Sequence, residues 1–75
     1  MASNSDDIHA VLRLIGETES RIVEQRARID ELEAAGRSAE VARQHLMALV
    51  DTLDIRRQRL AFLQAMSGRT EGHRR

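Results

Sequence analysis

The segment Leu32-Glu33-Ala34-Ala35-Gly36-Arg37-Ser38-Ala39-Glu40-Val41 divides the chain into two halves of similar length. Gly36 suits the left-handed position just past a helix end. Ser38 suits the cap of a following helix, with Glu40 in its first turn. Before this point, residues 6–35 read as one helix with a single interior glycine, Gly16. After it, residues 39–66 read as a second helix with neither glycine nor proline. A turn confined to 36–38 leaves the helices no choice but to run antiparallel, side by side. At the start, Asn4 or Ser5 is the expected cap, and Asp6 and Asp7 meet the unpaired amides of the first turn. Residues 1–5 are expected to form a flexible N-terminus. Residues 67–75, Ser67-Gly68-Arg69-Thr70-Glu71-Gly72-His73-Arg74-Arg75, carry two glycines and no apolar period, and read as a flexible basic tail.

The apolar residues repeat every seven positions. Ile8, Ile15, Ile22 and Ile29 form one row, here position a. Position d holds Val11, Thr18, Gln25 and Leu32. In the second helix, a is Ala39, Leu46, Leu53 and Leu60, and d is Ala42, Leu49, Arg56 and Leu63. A period of 3.5 residues calls for left-handed supercoiling and knobs-into-holes packing. Ile15, Ile22, Leu53 and Leu60 are the expected hairpin core. The fold class is therefore all-α, a long coiled-coil-like antiparallel hairpin.

A second row runs along the second helix: Val41, Ala48, Ile55 and Phe62, at position c. An antiparallel pair uses one seam per helix, so a second apolar stripe asks for a second partner. With 75 residues and no cysteine, the chain has a small core and no disulfide to support it. Two hairpins closing into a four-helix bundle answer both demands. Leu49, Val50, Ile55, Phe62 and Met66 are the expected dimer interface. The plainer alternative leaves Ile55 and Phe62 as scattered surface residues of a monomer.

Polar residues interrupt the middle of the seam. Folding about residue 37 sets Thr18 near Arg56, and Gln25 opposite Leu49, with Glu19 beside them. This gives an interhelical polar layer of Thr18, Glu19, Gln25 and Arg56, with Glu19–Arg56 as the expected ion pair. Such a layer fixes register and orientation at some cost in stability. It could also form an inner site for an anion or small polar ligand.

Catalytic and metal-binding patterns are absent from the sequence. His9, His45 and His73 are scattered, with no pair one helical turn apart and no HExxH. Glu17, Glu24 and Glu31 share position c on a charged outer face, whereas a di-metal bundle needs inward carboxylates. No phosphate-binding glycine loop or nucleophile elbow occurs, and Ser5, Ser20, Ser38 and Ser67 have no histidine arranged to activate them. The expectation is a non-enzymatic chain without cofactor or metal. No apolar run is long enough to span a bilayer and the acidic start, Met1-Ala2-Ser3-Asn4-Ser5-Asp6-Asp7, lacks the features of a signal peptide. A cytoplasmic location with no membrane partner is expected.

Charge is zero overall but unevenly spread. Residues 1–35 hold four arginines against eight acids, and residues 56–75 hold six arginines against one acid. An antiparallel hairpin returns the basic end beside the acidic one, which favours that orientation. The alternative use of this charge is nucleic-acid contact through Arg57, Arg59, Arg69, Arg74 and Arg75, doubled in a dimer. Against it, the chain has no stacking aromatics beyond Phe62 and no visible recognition helix.

The run from Arg21 to Glu33 (RIVEQRARIDELE), then Gly36, then Ala39 to Leu46 (AEVARQHL) and the leucines to Leu63, resembles a group of uncharacterised short two-helix proteins of rhizobia and related soil bacteria. The resemblance covers residues 8–63. It implies a bacterial cytoplasmic protein and carries no catalytic residue. The expected function is a homodimeric protein–protein interaction or regulatory module whose partners are itself and another helical protein.

Overall fold

The computed structural model describes residues 4–72: helix α1 (Asn4–Ala34), a short connection, and helix α2 (Glu40–Gly72). The two helices pack along one another in a rod 62 Å long and 17 by 16 Å across. Both begin or end slightly differently from the sequence expectation. α1 starts at Asn4 rather than after a cap there, with Asp6 and Asp7 in its first turn. α2 continues past Met66 to Gly72. Ser67, Gly68 and the residues that follow include no proline, and a glycine inside a helix costs only about 1 kcal/mol relative to alanine. Nothing in that segment therefore forces a stop. Met1–Ser3 and His73–Arg75 lie outside the described residues.

The connection closes α1 with a Schellman motif. Gly36 has φ +71°. Its N–H donates to the Glu33 carbonyl at 3.0 Å, and the Arg37 N–H donates to the Leu32 carbonyl at 2.8 Å. Carbonyls that the helix end would orphan are thereby satisfied. On the far side, the Arg43 N–H donates to the Ala39 carbonyl at 2.8 Å. Ala39, not Ser38, thus holds the cap position, and α2 begins at Glu40 rather than at 39. The Ser38 hydroxyl still accepts a hydrogen bond from the Glu40 N–H at 3.3 Å. Ala39 is almost wholly buried, so packing against Ile29 sets where α2 starts.

The core follows the seven-residue rows. Val11, Ile15, Ile22, Leu53 and Leu63 form one buried cluster, with Ile8, Leu46, Leu49, Val50 and Leu60 packed against it. Ile29, Ala39 and Ala42 form a second cluster near the turn, joined by Leu32 and Leu46. Of the four residues expected to build the hairpin core, Ile15, Ile22 and Leu53 are buried and Leu60 is half-buried. No side chain is completely enclosed among the described residues. Two helices in contact can shield each other on one side only, and that leaves every core residue within reach of water.

Candidate functional site

The two long edges of the seam differ in chemistry. In an antiparallel pair, positions beside a on one helix meet the same positions on the other, and positions beside d meet across the opposite edge. The edge beside a is closed by ion pairs. The Arg57 Nη2 donates to Glu19 Oε2 at 3.0 Å, and Arg43 is hydrogen-bonded to Glu33. Both pairs are about half exposed, so each contributes little stability but helps hold the register.

The expected Glu19–Arg56 pair is thus replaced by Glu19–Arg57. The reason is angular. Glu19 and Arg57 both lie on the closed edge, whereas Arg56 lies at a d position, about 100° around the helix on the other edge.

The edge beside d is open. A groove of about 630 Å³ runs along it, lined by residues that include Arg21, Glu24, Gln25, Arg28, Val41 and His45. A smaller groove of about 410 Å³ continues it, with Leu14, Glu17, Thr18, Arg21, Thr52 and Arg56 in its walls. Leu49 lines both. Three members of the expected polar layer therefore share one face: Thr18, Gln25 and Arg56. Thr18 is 5% exposed, and its hydroxyl donates to the Leu14 carbonyl of its own helix at 2.9 Å. Gln25 faces the seam, but its Nε2 donates to the Ala42 carbonyl at 3.0 Å, tying α1 to α2. Leu49, its expected neighbour, lies in the same groove. Arg56 is half-buried.

The second apolar row borders this open edge. Val41 lines the larger groove and is 77% exposed. Ile55 and Phe62 continue the row at 66% and 59% exposed, and Met66 is also exposed. The remaining expected interface residues, Leu49 and Val50, are half-buried against the hairpin's own core. Leu14 adds an exposed apolar side chain from α1. Scattered apolar residues elsewhere, Leu12, Val23 and Met47, form no such row.

Of the arginines weighed for nucleic-acid contact, Arg57 is engaged by Glu19 and Arg59 is exposed. Arg69 falls within α2, and Arg74 and Arg75 lie outside the described residues. Among the described residues, no group of three histidine, aspartate or glutamate side chains is gathered as metal ligands, and no helix is long and apolar enough to cross a membrane. By sequence, Glu17 and Glu24 read as an outer charged face, and Arg21, Arg28 and His45 show no role. All five line the grooves. Their signal is present in the heptad: Arg21, Arg28 and His45 occupy position g beside d, and Glu17 and Glu24 position c just outside it, on the edge where the core row is interrupted by polar residues.

Comparison with family models, curated proteins and solved structures gives no match to this chain.

Proposed function

We propose that the chain is a non-catalytic helical module that works as a homodimer, two hairpins forming a four-helix bundle, in protein–protein interaction or regulation. The row of Val41, Ile55 and Phe62 carries this reading. These side chains are more than half exposed in the single hairpin and lie in register along one helix face. Burying them against a second copy removes apolar surface from water, each large side chain contributing roughly 1.5–3 kcal/mol when fully covered. A hairpin whose core residues all remain partly wetted gains most from such a partner. We further propose a bacterial, cytoplasmic setting, in keeping with the resemblance described above.

The test is the mass of the untagged protein in solution, by size exclusion with light scattering, for the wild type and for the double variant Ile55→Glu/Phe62→Glu. The wild type is expected at twice the 8.5 kDa chain mass, and the double variant at the single mass with helical signal retained. A wild-type monomer, or a double variant that remains dimeric, would overturn the reading. Since the chain lacks tryptophan and tyrosine, strong absorbance at the nucleobase maximum in its peak reports bound nucleic acid. Absorbance that is lost at high salt and on removal of residues 67–75 would transfer the assignment to the arginine-rich end.

A further inference from the structure

Resting on the homodimer reading, we infer that the second copy packs its open edge onto the first about one particular two-fold axis, with α1 against α1 and α2 against α2, each pair antiparallel. Two separate patterns on the same face point to that axis.

The first is apolar. Val41, Ala48, Ile55 and Phe62 are evenly spaced along α2. Reversed about a point between Asp51 and Thr52, the row falls on itself: Phe62 meets Val41 of the copy, and Ile55 meets Ala48. Each contact sets a larger side chain against a smaller one, which is how facing layers interdigitate.

The second pattern is ionic. On α1, Glu17, Arg21, Glu24 and Arg28 all line the open edge. Reversed about a point between Ile22 and Val23, Glu17 meets Arg28 of the copy and Arg21 meets Glu24. None of the four has an ion-pair partner within the hairpin among the described residues. The ion pairs Glu19–Arg57 and Glu33–Arg43 set the hairpin register, and they bring the α1 reversal point opposite residues 53 and 54 of α2. That is within about 3 Å of axial rise from the α2 reversal point. One two-fold axis, crossing the hairpin near the Ile22–Leu53 level, satisfies both rows at once.

Other closed arrangements fail on the same residues. An axis along the rod stacks α1 on α2 of the copy, and sets the Glu17–Arg28 row against the apolar row. That strands charges on apolar surface. An axis along the rod shifted onto α1 sets α1 beside α1 in parallel, with Glu17 beside Glu17 and Arg21 beside Arg21, and like charges repel. The inferred axis also gives the half-buried Arg56 a role. It brings Arg56 level with Gln25 of the copy, whose Nε2 is committed to Ala42 and whose amide oxygen is an acceptor.

Cysteine cross-linking tests the axis, because the natural chain has no cysteine. Thr52→Cys sits beside the axis and is expected to form a disulfide-linked dimer under mild oxidation, since the axis brings the two Cα atoms within the roughly 7 Å that a disulfide spans. Met66→Cys sits about 40 Å from its own copy in this arrangement and is expected not to link. Mixed with Val41→Cys, Phe62→Cys is expected to link across, because the axis sets these two positions opposite each other. A charge exchange adds a second readout. Glu17→Arg/Glu24→Arg and Arg21→Glu/Arg28→Glu are each expected to weaken self-association roughly tenfold, and a mixture of the two to recover it. A dimer by mass in which Met66→Cys links to itself, or Thr52→Cys does not, overturns the axis while the homodimer stands. A wild-type monomer overturns both.

Discussion

Gly16 and Gly36 should respond to alanine in opposite directions, and the size of each response follows from geometry. At Gly36, a Cβ would meet no atom within 4 Å, so sterics with neighbours contribute nothing. The whole cost is the backbone's: φ of +71° sets a Cβ too close to the following carbonyl, about 1–2 kcal/mol for a residue other than glycine. At Gly16 the space is also open, but the backbone is mid-helix. There alanine removes the entropy penalty of glycine, a gain of about 1 kcal/mol. The two variants should therefore differ by roughly 2–3 kcal/mol, from the sum of these effects. In a chain this short each kcal/mol moves Tm by about 4–8 °C. Urea and thermal unfolding by far-ultraviolet circular dichroism measure both, at one fixed protein concentration because self-association makes Tm concentration-dependent. Gly36→Asn should lose less than Gly36→Ala, since asparagine tolerates the left-handed region. A neutral or stabilising Gly36→Ala would refute the turn geometry. A destabilising Gly16→Ala would mean that something covers this outer face of α1, and it would refute the assignment of the open edge as the interface.

Other substitutions probe the core and its edges. Leu53→Ala truncates a buried residue at the centre of the main cluster and should cost about 2–5 kcal/mol in urea unfolding. Thr18→Val should change stability by no more than about 1 kcal/mol in the same assay, because the hydroxyl bonds only a carbonyl of its own helix. A larger loss would show that the hydroxyl acts across the seam. Glu19→Gln and Glu33→Gln each remove one half-exposed ion pair, and each should cost less than about 1 kcal/mol, diminishing further as salt is raised.

The heptad rows made most of the hairpin legible in advance. Ile15, Ile22 and Leu53 are buried where the period placed them, since an apolar residue every three and a half positions has one energetically acceptable direction to face. The errors fall where several solutions have nearly the same energy. Glu19 could be assigned to Arg56 or Arg57 by proximity in sequence, and only the handedness of an antiparallel pair separates them. α2 runs on to Gly72, past the expected end at Met66, because Ser67 and Gly68 weaken a helix without terminating it. The grooves are not legible in the sequence, because Arg21, Glu24 and Arg28 look like ordinary solvated charges when counted along one helix.

By itself the sequence determined the two helices, the turn at Gly36, the antiparallel pairing and the rows that form the seam. These depend on local rules: the rise and period of a helix, the left-handed freedom of glycine, and the exclusion of apolar residues from water. Only the tertiary structure decided that the two edges of the seam are unlike. It closed one edge with Glu19–Arg57 and Glu33–Arg43, and left Thr18, Gln25 and Arg56 on the other beside Val41 and its row. That distinction requires knowing which side of each helix faces its neighbour, and a side exists only once two helices have been set against each other.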